Sequence, residues 1–191
     1  DKYQPGYYSF IENNLLDLIK KSSTESKMVV IPEAELPYPT NDYRFNSFIE
    51  KTKIKDRLVM GAWYFEDNEL YNTIYYPNKE ILYKKTHLVP FGEYIPFISK
   101  LRGLIDFFDL PMSNVTPGPK LQDNMRLIND YEVATPICFD IAFPNTVRKM
   151  NISSFLMINI SNDTWFGDSI GPYHHLSKAR IRAIENNKWV I

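Results

Sequence analysis

The chain has 191 residues, 44% of them hydrophobic and 24% charged, which is enough for one globular domain with a substantial core. Its formal net charge of −1 supplies no broad positive field and argues against a nucleic-acid partner, and its 7 glycines form no phosphate-binding loop of the dinucleotide or P-loop kind. The single cysteine, Cys138, rules out an internal disulfide, and no apolar run approaches the roughly 18 to 20 residues needed to cross a bilayer.

Ile11, Leu15, Leu18 and Ile19 recur at helical spacing and predict an amphipathic helix ended by Ser22 and Ser23. Residues 28–31 are short, apolar and β-branched, and predict a buried strand stopped by Pro32. A second helix is expected over residues 42–55, with Phe45, Phe48 and Ile49 on one side. Residues 57–65 and 70–76 read as paired strands joined at Asp67-Asn68, and residues 80–88 as a further strand. Residues 90–119 contain five prolines and no regular pattern; so long a connection is more often functional than idle. Strands follow near residues 127–129, 132–138 and 154–160, with a short helix between the last two. Pro172 suits the first turn of a final helix, whose expected buried face is Leu176, Ala179, Ala183 and Ile184. Strands alternating with amphipathic helices make a layered α/β domain. The chain opens on Asp1 and closes at Ile191 inside an apparent strand, so a longer parent protein is expected, incomplete here at both ends.

Three strand ends carry reactive side chains. Glu33 follows the first strand, in Ile31-Pro32-Glu33; Lys85 sits in Lys84-Lys85-Thr86-His87-Leu88; and Cys138 closes Pro136-Ile137-Cys138. Ends of neighbouring strands are held in register by one rigid sheet, which is where α/β sites gather. Each residue also has a plain structural reading: an exposed acid, an exposed strand-end charge, a small core thiol. Together they supply a nucleophile, a base and a cation for an oxyanion, without histidine or metal. No Cys/His spacing suits zinc, so no metal or cofactor is expected. The 13 Tyr and 12 Phe fit either a large core or an apolar substrate.

Pro32-Glu33, Lys85-x-His87-Leu88 and Cys138 resemble, in order, the three signature segments of the nitrilase (carbon-nitrogen hydrolase) superfamily. The stretches from His87 through Pro96 and from Ile160 through Pro172 resemble its apolipoprotein N-acyltransferase subgroup. The resemblance covers nearly the whole chain and implies an αββα sandwich over residues 1–191. It implies Glu33 as general base, Lys85 as transition-state stabiliser and Cys138 as nucleophile, with Glu93 a further carboxylate near them and Trp165 and Phe166 lining the site. Members commonly carry Tyr-Glu after the cysteine where this chain has Phe139-Asp140, a supporting pair with one hydroxyl and one methylene fewer. His87, His174 and His175 are expected to be structural.

By the same resemblance, an acyl chain moves from a phospholipid donor, through a Cys138 thioester, to the N-terminal cysteine amine of a diacylated lipoprotein. The implied setting is the bacterial inner membrane, reached through helices outside this chain, with the catalytic domain on the periplasmic side. Residues 90–119 are then a plausible cover for the lipid entrance. Two alternatives stand beside it: a soluble amidase or nitrilase using the same trio with water as acceptor, and a catalytically inactive interaction module.

Overall fold

The computed structural model describes residues 3–22, 24–94 and 115–191. Its chain order begins with α1 (Tyr8–Lys20), β1 (Val29–Ile31) and α2 (Tyr43–Thr52), followed by the hairpin β2 (Leu58–Glu66) and β3 (Glu69–Tyr76), and by β4 (Ile81–Lys84). After the undescribed stretch come β5 (Met125–Arg126), β6 (Glu132–Ala134), α3 (Pro144–Asn151), β7 (Leu156–Met157) and α4 (Gly171–Asn186). One sheet runs β1-β2-β3-β4, with β1 parallel to β2 and the rest antiparallel; the other runs β5-β6-β7, with β6 parallel to β7.

The core shows how these elements stack. Val59, Ile74, Tyr76 and Tyr83 from the first sheet pack against Val133, Ile137, Ile158 and Ile160 from the second. On the outer face of the first sheet, Leu58, Met60 and Ala62 meet Ile19 of α1 and Phe45, Phe48 and Ile49 of α2. On the outer face of the second, Ala134 and Met157 meet Val147 of α3 and Ala179 of α4. The order helix, sheet, sheet, helix is the expected αββα sandwich. It also explains why β2 reads as an unbroken apolar run: both of its faces are covered.

Local chemistry sets the boundaries. Asp42 caps α2, accepting from the Arg44 backbone N–H at 2.9 Å. Asp67 and Asn68 both take left-handed φ, 51° and 66°, as a two-residue hairpin turn requires.

The structure corrects the expected strands. β4 stops at Lys84 instead of running to residue 88, because residues 115–118 take its place beside β3: Leu70 O accepts from Thr116 N at 2.7 Å, and Gly118 N donates to Lys85 O at 2.7 Å. The strand expected near 127–129 lies at Met125–Arg126, since Asn129 and Asp130 form a left-handed turn. β6 ends at Ala134, two residues before Pro136, whose missing N–H interrupts a ladder; the chain then rejoins through an Ile137–Ile160 bridge. β7 is correspondingly limited to two residues of the expected 154–160.

The burial of α4 is corrected too. Leu176 and Ile184 are 52% and 80% exposed, whereas His175 and Ala179 face inward. Two side-chain hydrogen bonds set this rotation: His175 Nε2 to Cys138 O at 3.0 Å and Arg182 Nε to Ile141 O at 3.1 Å. No helix among the described residues is long and apolar enough to cross a membrane.

Candidate active site

The ends of β1 and β4, with the end of the extended segment that continues β6, bring Glu33, Lys85 and Cys138 to one small cavity of about 140 Å³. Glu33 lies on the turn after β1, next to Ala34 at a left-handed φ of 50°. Lys85 is the first residue beyond β4 and keeps its backbone N–H on Asn72 O at 2.8 Å. Cys138 opens a short 3-10 turn, Cys138–Ala142, at a φ of 44°; its N–H donates to Ile160 O at 2.7 Å. A β-to-helix corner with a left-handed residue turns a side chain out of the sheet, and such strained positions collect at reacting centres.

Inside the cavity the charged groups are engaged with one another, while the buried Asn72 Oδ1 has no hydrogen-bond partner. Lys85 Nζ donates to Glu33 Oε1 at 3.0 Å and to Glu93 at 2.8 Å. Asn72 Nδ2 donates to the same two carboxylates, at 2.6 Å and 2.9 Å. Glu33 Oε2 accepts from the Asn162 N–H at 2.9 Å, and Glu93 Oε2 from the Val89 N–H at 2.9 Å. All four side chains are buried. Burial by itself disfavours the Lys85 ammonium, but the carboxylates of Glu33 and Glu93 outweigh it and hold its pKa above the usual range. Burial likewise pushes the Cys138 thiol up to about 12, reinforced by Glu33 and opposed by Lys85 and a Ser161 hydrogen bond. The sulfur therefore rests as a thiol and needs a base when it reacts. Ala34, Trp63, Val89 and Phe166 give the cavity apolar walls.

The remaining expected site residues are distributed unevenly. Phe166 lines the cavity and is 42% exposed. Phe139 instead packs edge-on against Phe143, centroids 5.3 Å apart, and against the inter-sheet core. Asp140 is wholly buried behind Cys138, accepting from the backbone N–H groups of His87 at 2.7 Å and Ile137 at 3.2 Å, and from Tyr83 OH at 3.2 Å. The Trp165 side chain, like most of the 90–119 connection, lies outside the described residues. His87 stacks on Phe143 and hydrogen-bonds Thr146 Oγ1 at 2.8 Å, a structural placement. Burial and Lys120 hold its ring below its ordinary pKa.

Asn72 and Asn162 were not foreseen. The available signal for Asn72 is a polar pair, Asn72-Thr73, in the middle of a strand whose neighbouring residues are apolar or aromatic. Asn162 contributes a backbone N–H, which leaves no mark on residue type.

A two-sheet sandwich with helices outside and a Glu-Lys-Cys cluster at its strand ends defines the class, and the carbon-nitrogen hydrolase family model matches residues 11–191. The chain belongs to that family. Among curated relatives, it is 34% identical over its whole length to the apolipoprotein N-acyltransferase of Haemophilus influenzae, covering 39% of that protein. It is also 47% identical over 57% of its length to the Pseudomonas aeruginosa protein of the same name, covering 21% of it. The chain thus spans between about a fifth and two fifths of these relatives. Among solved structures, Saccharomyces cerevisiae Nit3 aligns over 97% of this chain and 68% of its own, with a TM-score of 0.63 at 19% identity. An amidase from Nesterenkonia aligns over 95% and 68%, with a TM-score of 0.60 at 15% identity. Both share the fold.

Proposed function

We propose that residues 1–191 belong to the catalytic domain of an N-acyltransferase that moves an acyl chain from a phospholipid to the N-terminal cysteine amine of a diacylated lipoprotein. The observation that carries this reading is the buried Glu33-Lys85-Cys138 cluster, in a chain similar along its entire length to proteins named apolipoprotein N-acyltransferase. The parent protein would sit in the bacterial inner membrane through segments outside these residues, with this domain on the periplasmic side.

Glu33 takes the thiol proton as Cys138 sulfur attacks the ester carbonyl. Lys85, held cationic by its neighbours, balances the oxyanion as it forms. The oxyanion collapses to a thioester, and the lysophospholipid alkoxide leaves with the proton that Glu33 took. The lipoprotein amine then attacks the thioester, Glu33 accepts the amine proton, and Cys138 departs and is reprotonated. Water competes with the amine at the second step, so a transferase benefits from the apolar walls around the thiol.

Intact-mass measurement on the full-length protein incubated with phospholipid tests the reading. Wild type is expected to gain one acyl group, discharged on adding a diacylated lipopeptide, while Cys138→Ala gains none. An acyl increment on Cys138→Ala would displace the nucleophile. Hydrolysis of small amides with no transfer to the lipopeptide would favour the amidase alternative.

A further inference from the structure

A second group of polar side chains converges on Cys138 from α4 and the turn that follows β7. His175 Nε2 stands 3.0 Å from Cys138 O, so that nitrogen carries the hydrogen and donates it. Nδ1 of the same ring lies 2.8 Å from Asp163 Oδ1 and 3.2 Å from Ser161 Oγ. The Ser161 hydroxyl itself donates to Asp163 Oδ1 at 2.5 Å. The contact sets an imidazole nitrogen directly beside a carboxylate oxygen, two of the donor types a metal ion takes. The Cys138 sulfur completes a third corner: Sγ, a His175 ring nitrogen and an Asp163 oxygen all lie within 4.8 Å of one another.

We propose that Cys138, Asp163 and His175 form a binding site for a thiophilic divalent cation of the zinc class, which clamps the nucleophile when bound. Thiolate, imidazole and carboxylate are the donor types zinc selects, and three protein ligands with an open fourth position are its usual reactive-site arrangement. In a tetrahedral zinc site such donors stand about 3.3 to 3.6 Å apart, given bonds of about 2.0 to 2.3 Å. The cluster needs movements of no more than about an ångström to reach that geometry. The outer contacts are already in place: a metal-binding imidazole usually donates its other N–H to a carbonyl, here Cys138 O, and a ligating carboxylate is itself hydrogen-bonded, here by Ser161. Ser161, Asp163 and His175 open onto a groove of about 760 Å³ beside α4, whereas Cys138 lines the separate cavity that holds Glu33 and Lys85, so the cluster stands between the two.

Binding breaks the Cys138 S–H bond and forms a sulfur–metal bond. The thiol proton passes to solvent, with any proton displaced from between His175 and Asp163, and no electrons change hands. The site rests on geometry alone and stands whichever acyl acceptor the enzyme uses.

The experiment is a chelator-buffered zinc titration of the full-length protein, reading protection of Cys138 from maleimide alkylation by mass spectrometry. A parallel cobalt titration reads the thiolate-to-cobalt charge-transfer band. Zinc is expected to protect wild type at micromolar or lower free concentration. Asp163→Asn and His175→Asn should each raise the required zinc at least about tenfold. Cobalt should give the charge-transfer band in wild type and none in Cys138→Ser. Asp163 is partly exposed, so its variant remains informative should His175→Asn fail to fold. Equal protection of wild type and Asp163→Asn would mean a lone thiol binding metal and would overturn the site, as would protection by magnesium at the same concentration or none below millimolar zinc.

Discussion

Glu33 and Glu93 share a lysine and an asparagine almost symmetrically, and the third hydrogen bond distinguishes them. Glu33 reaches across the sandwich to Asn162 N–H, on the sheet that carries Cys138, whereas Glu93 is tied back into its own turn by Val89 N–H. From that difference we predict Glu33 as the base and Glu93 as its support. A general base contributes about 10² to 10⁴-fold to a step that moves a proton. Glu33→Gln keeps the shape and loses the basicity, so thioester formation in single turnover without acceptor should fall by that range, and Glu93→Gln should slow it less. The reverse order would exchange the two roles. Asp140 poses a different problem: its hydrogen-bond donors are all neutral, and burial pushes its carboxyl up to about 6 from 3.8, against those hydrogen bonds and the charge of Lys85. An acid whose folded pKa is raised binds more protons folded than unfolded in the window between, so its contribution to stability falls as pH rises from about 4 to about 6. The size is about 3 kcal/mol. Urea unfolding of wild type and Asp140→Asn should therefore differ in wild type's favour more at pH 4 than at pH 7, by up to that amount. An identical difference at both pH values would show that Asp140 carries no burial penalty.

Two glycines fix the strand ends that present the site. A Cβ on Gly61 would sit 2.4 Å from Pro32 O and 2.5 Å from the Glu33 Cα, so β2 lies against the Glu33 turn at a distance only glycine permits. A Cβ on Gly118 would sit 2.4 Å from Lys84 O, beside the hydrogen bond that holds the Lys85 carbonyl. In both cases the obstacle is backbone, which cannot swing aside. Gly61→Ala and Gly118→Ala should each cost about 1 to 3 kcal/mol of stability and displace Glu33 or Lys85 respectively. Gly6→Ala, with open space around it, is the control. Thermal melts and single-turnover rates check this, and a Gly61→Ala protein as active and stable as the Gly6→Ala control would contradict the close approach.

At the scale of the whole molecule, what was legible in the sequence is what one segment decides by itself. The α2 face and the β2–β3 hairpin follow from periodicity and turn chemistry within a few residues, and so does most of the α1 face, although Leu18, expected on it, is 62% exposed and Leu16 packs inward in its place. The second sheet was misjudged because its strands are cut by Pro136 and by the Asn129 turn, and β4 because its partner's edge is taken by residues 115–118, far away in sequence. The rotation of α4 was misjudged for a related reason: polar bonds to Cys138 and Ile141, made across the fold, override its apolar stripe. The Glu-Lys-Cys trio was found through its local motifs, but the bridge from Asn162 to Glu33 spans 129 positions and exists only once the sheets are packed. The site is therefore a property of the inter-sheet packing, since Glu33 and Lys85 come from one sheet and Cys138 from the other. Ile158 is wholly buried in the inter-sheet core, next to the segment whose Ile160 carbonyl holds Cys138 N–H. Phe48 is equally buried but lies in the outer layer between α2 and the first sheet. Ile158→Ala should cost about 2 to 5 kcal/mol and Phe48→Ala about 3 to 5 kcal/mol, so neither loses much less stability than the other. Assayed well below either melting temperature, they should nonetheless separate: Ile158→Ala lets the two sheets shift and should lower the single-turnover acylation rate by ten-fold or more, since sub-ångström misplacement of reacting groups is expensive, on the order of 10²-fold for about 1 Å. Phe48→Ala leaves the relation between the sheets intact and should acylate at close to the wild-type rate. Equal rates in the two variants would mean that the trio is held by its own hydrogen bonds, independent of how the sheets pack.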